Sequence, residues 1–266
     1  MNAGQPAFVQ AGDGDVAVFL LHGVGGGKAG WPAQLAALAA GGWHAIAWDM
    51  PGYGDSAPIE PYTMGGLAEA LRALVRHVGA ARSVLVGHSM GGMVAQEALA
   101  QEPGCADALV LSGTSAAFGK PGGDWQRRFL DERLAPLRAG RSMDELSQVL
   151  VPGMMAPGAD AAALALGRRV MAAVPPSTYE AALRALAGFD RREKLGAIRV
   201  PTLCLAGELD GNAPPVVMRG MADRIPGAAF ELLTGVGHLA PIEAPDRFNA
   251  ALLRFLRAHC PPHGRS

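Results

Sequence analysis

Short apolar runs alternate with longer amphipathic stretches along this chain. Val16–Leu21 is continuously apolar, which is typical of a strand buried on both faces of a sheet. Residues 63–78 instead place their leucines and valines on one face of a helix. The other runs that predict strands are His44–Trp48, 84–86, 108–111, 202–206 and Ala229–Leu233. Because strand and helix patterns alternate, we expect βαβ crossovers and a mostly parallel sheet with helices on both faces.

The pattern changes in residues 116–190, where no strand pattern occurs. Helical spacing takes its place in four stretches, 125–137, 143–150, 161–174 and 178–189. Ser142 with Glu145 and Ser177 with Glu180 predict capping boxes at the start of two of these helices. An all-helical insertion in an α/β chain is typical of a cap over the carboxyl edge of the sheet.

We therefore predict a single domain, 1–266, with a core at 1–115 and 191–266 and a helical cap inserted at 116–190. The first strand is expected near Phe8, as an edge strand that forms a hairpin into the sheet. No internal repeat or linker interrupts this organisation.

The composition carries no strong charge: 50% of the 266 residues are hydrophobic, 18% are charged and the formal net charge is −1. No basic field attracts nucleic acid, and no apolar run approaches the ~18 residues that cross a bilayer. The residues before Lys28 include no Lys or Arg and lack a signal-peptide pattern, so we expect a cytoplasmic location. Cys105, Cys204 and Cys260 lie outside any Cys-x-x-Cys spacing and are interpreted as bystander thiols. The expected partner is a small molecule rather than nucleic acid or a membrane.

One glycine-rich turn predicts a nucleophile. The apolar run 84–86 leads into Gly87-His88-Ser89-Met90-Gly91, and helical spacing follows directly. A Gly-x-Ser-x-Gly turn between a buried strand and a helix forces its serine into a strained conformation and leaves the hydroxyl exposed. Ser89 is therefore the candidate nucleophile.

A serine hydroxyl needs a base, and the base needs a carboxylate that fixes its tautomer. Asp210 follows the predicted strand 202–206, and His238 follows the next one, so both are expected at the carboxyl edge of the sheet. Glu208 lies two positions before Asp210 and is the weaker candidate for the acid. His88 lies inside the Gly-x-Ser-x-Gly turn, hereafter the elbow, and its side chain is expected to point away from the site.

An acyl-transfer site also needs donors for the developing oxyanion. The Met90 N–H follows the nucleophile at the start of a helix and is one candidate. The Val24 N–H, after His22-Gly23, is the other, and His22 is expected to brace its loop. Asp49 and residues 53–56 are expected to have a structural role, since their Pro-Gly turns already explain them.

With these residues in place, the chain resembles the α/β-hydrolase fold enzymes over essentially its full length. Five motifs carry the resemblance, in order: His22-Gly23, the Asp-x-Pro-Gly-x-Gly-x-Ser loop at 49–56, the elbow at 87–91, the Gly-x-x-Asp turn ending at Asp210, and the Gly-His turn at His238. The resemblance implies a sheet of about eight strands, with neither a metal nor an organic cofactor. Residues 89–92 and 238–245 are similar to the group of 3-oxoadipate enol-lactonases, carboxylesterases and meta-cleavage-product hydrolases. Epoxide hydrolases and haloalkane dehalogenases carry Asp at the elbow, so Ser89 argues against both.

The substrate pocket is expected to draw on the cap. Trp125, Phe129 and Met154 are its candidate residues there, together with Leu239 beside the candidate base. Four arginines of the cap are interpreted as solvated helix charges, unless one turns inward to bind a substrate carboxylate: Arg127, Arg128, Arg133 and Arg138.

The resemblance implies a serine hydrolase that cleaves a small carboxylic ester or lactone through an acyl-enzyme on Ser89. The same three residues would serve C–C bond hydrolysis of a vinylogous diketone, or a haloperoxidase-like perhydrolysis as a side reaction. A reading of another class is a ligand receptor on a hydrolase scaffold that turns nothing over. The substrate and the oligomeric state, a homodimer included, stay open at this point.

Overall fold

Seven strands form one sheet in residues 5–119 and 123–262, the part of the chain that a computed structural model describes. The strands are β1 (Phe8–Ala11), β2 (Val16–Leu21), β3 (His44–Trp48), β4 (Arg82–His88), β5 (Ala108–Ser112), β6 (Thr202–Gly207) and β7 (Ala229–Leu233). Their order is β1-β3-β2-β4-β5-β6-β7, and every neighbouring pair is parallel except β1 with β3. The predicted mostly parallel α/β sheet is confirmed, with seven strands in the described residues instead of about eight.

The N-terminal strand does not form the predicted hairpin. β1 is an edge strand as expected, but it pairs antiparallel with β3, which separates it from β2. Between β1 and β2 the chain passes against the turn before β3, where a Cβ on Gly12 would lie 2.2 Å from the Trp43 carbonyl oxygen. A Cβ on Gly14 would lie 2.0 Å from the Gly42 carbonyl oxygen. Glycine at both positions permits this crossing, which carries the chain past β3 rather than back along β1.

Helices cover both faces of the sheet. In the described residues they are α1 (Pro32–Ala40), α2 (Met64–Val78), α3 (Met90–Gln101), α4 (Asp124–Arg138), α5 (Met143–Met154), α6 (Ala161–Ala172), α7 (Pro176–Ala187), α8 (Pro215–Ala222), α9 (Ala240–Glu243) and α10 (Pro245–His259). Three short 3₁₀ turns accompany them, at Lys28–Gly30, Pro103–Cys105 and Arg192–Ala197. None of the helices described is long and apolar enough to cross a membrane.

Strand β2 shows how the core divides into two layers. All six of its residues are buried, and successive side chains point to opposite faces of the sheet. Phe19 packs in the layer with helices α2 and α3, while Leu20 packs in the layer with α1 and α10. A strand buried in this way has no polar face, which explains why it reads as a continuous apolar run.

Four helices, α4 to α7, lie between β5 and β6 in residues 116–190, hereafter the helical insertion. Its two ends lie side by side: Ala117 forms an antiparallel bridge with Asp190, and the Phe118 N–H donates to the Phe189 carbonyl at 3.0 Å. The Arg191 side chain forms a 2.5 Å ion pair with the buried Glu97 of α3. The chain therefore leaves the core sheet and returns to it at one place, beside the carboxyl ends of β5 and β6.

One of the two predicted capping boxes is present. The Ser142 hydroxyl accepts the Glu145 N–H at 3.2 Å, and the Glu145 carboxylate accepts the Ser142 N–H at 2.8 Å. The box predicted at Ser177 is wrong, because α7 already begins at Pro176. Proline lacks an N–H and has a fixed φ that suits the first helical position, so the helix starts one residue before the serine.

Candidate active site

The elbow places Ser89 in a backbone conformation that side chains rarely adopt. Its φ of 52° and ψ of −122° make it the one non-glycine residue with positive φ in the described chain. A Cβ on Gly91 would lie 2.2 Å from the Leu21 carbonyl oxygen, and one on Gly87 would lie 2.5 Å from the Gly92 Cα. The turn closes only because these positions are glycine, which matches the strained, exposed serine that the motif predicts.

Ser89, His238 and Asp210 meet at the carboxyl edge of the sheet. The His238 Nε2 lies 3.1 Å from Ser89 Oγ, and its Nδ1 lies 2.8 Å from Asp210 Oδ2. An ionised carboxylate only accepts, so Nδ1 carries the proton and Nε2 is free to accept from the serine hydroxyl. The arrangement is that of a nucleophile, a base and a carboxylate that orients the base.

The Asp210 carboxylate is kept ionised although its side chain is fully buried. Burial alone would raise its pKa, but the hydrogen bond and charge of His238 and the N–H groups of Ala213 and Asn212 outweigh this and lower it. Those two N–H groups donate to Oδ1 at 2.9 and 2.8 Å. Glu208, the other candidate acid, accepts the Gly235 N–H at 2.7 Å at an exposed position and does not contact His238.

Met90 and Val24, the two residues whose backbone N–H groups are the predicted oxyanion donors, line the same cavity as Ser89. The Met90 N–H begins helix α3, and the Val24 N–H lies on the loop that passes Ser89, where a Cβ on Gly23 would come within 3.3 Å of Ser89 Oγ. Within residues 5–119 and 123–262 neither N–H has a protein acceptor. Both are therefore available to a ligand oxygen beside the hydroxyl.

The His22 side chain orients the peptide that carries the Val24 N–H. Its Nδ1 donates to the Gly23 carbonyl oxygen at 2.8 Å, while its Nε2 accepts the Met50 N–H at 2.9 Å. These partners fix a neutral ring with the proton on Nδ1. Burial lowers the pKa of His22 to about 4, so the ring stays neutral near pH 7.

The loop at 49–56 holds the segment from Val24 to Lys28 through hydrogen bonds, in the structural role predicted for it. The Tyr53 hydroxyl donates to the Val24 carbonyl at 2.9 Å. Asp49 Oδ1 accepts the Lys28 N–H at 2.9 Å, and its Oδ2 forms an ion pair with the Lys28 ammonium, which also binds Asp55 at 2.6 Å. The contacts of Lys28 with Asp49 and of Tyr53 with Val24 were not anticipated from the sequence, because each joins residues more than twenty positions apart.

His88 does not point away from the site as expected. Its ring lies 4.9 Å from the His238 ring, centroid to centroid, and it lines the cavity beside Ser89. Gly113 makes the room: a Cβ there would lie 3.3 Å from both His88 Cε1 and His238 Nδ1. Neither ring nitrogen of His88 has a hydrogen-bond partner in the described structure, and burial lowers its pKa to about 3, so the ring is neutral.

A cavity of about 340 Å³ opens beside Ser89. Of the predicted pocket residues, Phe129, Met154 and Leu239 line it, while the Trp125 side chain lies outside the described part of the structure. The insertion contributes eight apolar side chains to the wall: Phe118, Phe129, Val151, Met154, Val170, Met171, Leu183 and Leu186.

Arg133 is the one candidate arginine that lines the cavity. Its guanidinium lies 5.3 Å from the Phe129 ring centre. Arg127 and Arg138 instead pair with carboxylates on their own helix, and Arg128 is exposed. The sequence could not separate these four residues, because the direction of each depends on how α4 packs.

The described residues contain no group of three or more His, Cys, Asp or Glu side chains that could hold a metal ion. The three cysteines are buried and unpaired. Burial raises the pKa of Cys105 to about 11 and that of Cys204 to about 12, which keeps both thiols protonated.

Comparisons with known proteins agree with the fold. A family model described as the alpha/beta hydrolase fold matches residues 16–245. A relative in Variovorax paradoxus, provisionally named carbamate hydrolase RutD, is 32% identical over 92% of each chain. Among solved structures, a malate-bound thermophilic esterase from Thermogutta terrifontis has a TM-score of 0.84 and 30% identity, over 96% of this chain and 94% of its own. The enol-lactonase from Burkholderia xenovorans has a TM-score of 0.83 and 26% identity, over 94% of this chain and 96% of its own.

The fold and the site define an α/β hydrolase. This chain belongs to the α/β-hydrolase family, since the family model spans most of its length. The names of the relatives refer to the hydrolysis of different bonds, so they do not define one substrate.

Proposed function

We propose that this protein is a serine hydrolase that cleaves a small carboxylic ester or lactone through an acyl-enzyme on Ser89. The hydrogen-bonded series from Ser89 Oγ through His238 to Asp210 carries this proposal. The likeness to an esterase and an enol-lactonase supports the choice of an ester or lactone carbonyl.

In the proposed first step, Ser89 Oγ attacks the carbonyl carbon while His238 Nε2 takes the hydroxyl proton. Asp210 stabilises the imidazolium that forms, and the N–H groups of Met90 and Val24 bind the oxyanion. The intermediate then collapses: the C–O bond breaks, and the imidazolium gives its proton to the leaving alkoxide. An ester releases its alcohol at this point, whereas a lactone keeps the new hydroxyl on the acyl group.

In the second step, a water molecule gives a proton to His238 Nε2 and attacks the acyl carbon. Collapse of the second intermediate breaks the bond to Ser89 Oγ, which regains the proton from the imidazolium. The products are a carboxylic acid and the free enzyme. His88 cannot substitute as the base, because it has no hydrogen bond to Ser89 in the described structure.

The helical insertion is proposed to act as the cap of the site and to select the substrate. Met171 packs against residues 22–27, the proposed oxyanion loop, where a Cβ on Gly25 would lie 3.4 Å from its Cγ. The Thr178 hydroxyl donates to the Gly52 carbonyl at 2.9 Å, which connects α7 to the loop at 49–56. Substrate size is therefore set between α6, α7 and the oxyanion loop.

Arg133 favours substrates with an acidic group remote from the scissile bond. Among the described residues it is the one arginine that lines the cavity, and a guanidinium fork matches a carboxylate geometrically. The pair p-nitrophenyl pentanoate and mono-p-nitrophenyl glutarate tests this, because the two acyl chains have equal length. Arg133→Met should lower the ratio of kcat/KM for glutarate to that for pentanoate about 10- to 100-fold. Arg128→Met, exposed on the same helix, is the matched control and should leave the ratio unchanged.

The experiment that tests the reaction is a panel of short p-nitrophenyl esters and γ-lactones with wild type and Ser89→Ala. We expect wild-type turnover with an acyl-enzyme burst, and a loss of about 10³-fold or more in the variant with an unchanged fold. A fluorophosphonate should add one covalent group to wild type and none to Ser89→Ala. Ser142→Ala, a helix cap far from Ser89 in sequence, should react like wild type.

Other outcomes would favour the other candidates. Equal turnover by Ser89→Ala would contradict the acyl-enzyme. Tight ligand binding without product release would favour a receptor on a hydrolase scaffold. Turnover of a vinylogous diketone in preference to every ester and lactone would favour a C–C bond hydrolase.

A further inference from the structure

Glu243 makes an unusual set of contacts for a carboxylate at the edge of an active site. It ends helix α9, and its Oε1 accepts the Ala156 N–H at 2.9 Å. Both of its oxygens accept the Gly237 N–H, at 3.1 and 3.0 Å. Across the residues that the structure describes, no Lys or Arg forms an ion pair with it. The charge of Glu243 is thus directed at two backbone amides from two distant segments.

These amides belong to the two segments that meet at the candidate base. Gly237 directly precedes His238, and Ala156 follows the C-terminal end of α5 in the helical insertion. The segments are in van der Waals contact, because a Cβ on Gly237 would lie 2.7 Å from the Met154 carbonyl oxygen. That carbonyl also accepts the His238 N–H at 2.7 Å. The backbone of the histidine turn is therefore held by the insertion as much as by the sheet.

The contacts define what would happen without the carboxylate. Gly237 is buried, so its N–H would lose its acceptor in a place where water does not replace it easily. The Ala156 N–H would lose its acceptor as well. Of the hydrogen bonds described between the two segments, the one from the His238 N–H to the Met154 carbonyl would be left. A shift of the turn by about 1 Å would take His238 Nε2 out of reach of Ser89 Oγ.

We propose that Glu243 is a positioning residue for the general base: it clamps the His238 turn to the Met154–Ala156 segment and so sets the distance from His238 Nε2 to Ser89 Oγ. Since Met154 lines the cavity, the clamp also joins the substrate wall to the base, so the two are held as one unit. This inference rests on the proposed hydrolase function, in which His238 is the base.

The test compares Glu243→Ala and Glu243→Gln with two controls, Glu208→Ala and Glu208→Gln. Glu208 binds the Gly235 N–H in the same loop but does not bridge to the insertion. With p-nitrophenyl acetate, Glu243→Ala should lower kcat about 30- to 100-fold with KM within threefold of wild type. Glu243→Gln keeps one oxygen for the amides but turns an NH₂ group towards the Gly237 N–H, so a loss of about fivefold is expected. The Glu208 variants should stay within twofold of wild type.

A second readout does not depend on turnover. The proton between His238 Nδ1 and Asp210 should give a low-field NMR signal in wild type. That signal should broaden or shift in Glu243→Ala and stay unchanged in Glu208→Ala. If Glu243→Ala does not fold, the comparison of Glu243→Gln with Glu208→Gln decides the matter.

The proposal is overturned if the folded Glu243→Ala has wild-type kcat and an unchanged low-field signal, or if Glu243→Gln equals Glu208→Gln within twofold. Failure of the underlying function looks different. In that case wild type itself shows no Ser89-dependent turnover and no fluorophosphonate adduct, while the NMR signal still reports on the clamp.

Discussion

The His22 Nδ1 donates a hydrogen bond to the Gly23 carbonyl oxygen at 2.8 Å. That carbonyl and the Val24 N–H belong to one trans peptide, so they point in opposite directions, and fixing one aims the other. The Gly26 N–H holds the same oxygen at 3.0 Å. The orientation of the proposed oxyanion donor is thus determined by a side chain that does not touch the substrate carbonyl itself.

His22→Ala should therefore lower kcat for p-nitrophenyl acetate by about 10²-fold, the cost of one misdirected oxyanion donor. KM should change little, because the donor acts on charge that develops only in the transition state. His44→Ala is the matched control: that histidine pairs with Gln10 at the outer end of β3 and should leave kcat unchanged. Wild-type kcat in a folded His22→Ala variant would contradict the role of the Val24 peptide.

The same residue should make stability depend on pH. The pKa of His22 is about 4 in the folded protein and 6.5 by its ordinary value, so the unfolded chain binds more protons between these two pH values. The contribution of His22 to the free energy of unfolding is then fully present above pH 6.5. It falls by about 3 kcal/mol as the pH drops towards 4. Urea unfolding of wild type and His22→Gln at pH 7.5 and 4 measures this contribution. Equal losses of stability in both proteins would show that His22 does not contribute.

Asp210→Asn tests which carboxylate orients the base. The amide can donate to His238 Nδ1, which stabilises the wrong tautomer and leaves Nε2 protonated, so kcat should fall by about 10³- to 10⁴-fold. Glu208→Gln, two positions earlier at an exposed site, should have almost no effect. Steady-state rates with p-nitrophenyl acetate distinguish the two. The opposite ranking would make Glu208 the acid.

Gly91→Ala tests whether the elbow closes only with glycine. The new Cβ would overlap the Leu21 carbonyl oxygen at 2.2 Å, and its nearest neighbours are all backbone atoms of Leu21 and His22, so no flexible side chain can move aside. We expect a loss of about 3 kcal/mol or more in the free energy of unfolding, or failure to fold. Gly104→Ala is the control, since no atom lies within 4 Å of its added Cβ, and it should change stability by less than about 1 kcal/mol. Urea titrations of the three proteins provide the comparison.

The sheet was predictable where burial leaves a direct trace in the sequence. β2 begins and ends where its apolar run does, because a strand covered on both faces has no polar position. β3 and β7 also have the predicted bounds, although β7 is an edge strand of which only Leu233 is buried. The N-terminal strand has no such trace, since only half-buried and exposed residues make up Phe8–Ala11. β1 pairs with β3 because the chain crosses the turn before β3 at Gly12 and Gly14. That crossing is a contact between backbone segments about 30 residues apart, which the sequence pattern does not reveal.

The site shows the same division. Ser89, Asp210 and His238 were identifiable because each follows a predicted strand, and parallel strands bring their carboxyl ends to one edge. Glu243 was visible in the sequence without a role, because its partner Ala156 is 87 residues away. His88 was misplaced because the room for its ring comes from Gly113 on the neighbouring strand end.

The sequence by itself determined the element order, the family and the candidate residues for acyl transfer. These depend on local chemistry: apolar periodicity, turn glycines, and the kinds of residue that follow each strand. Only the tertiary structure decided which of four arginines faces the cavity, how His22 orients the Val24 peptide and what holds the His238 turn. Side-chain direction and backbone contacts between remote segments follow from the packing of whole elements, which no local pattern encodes.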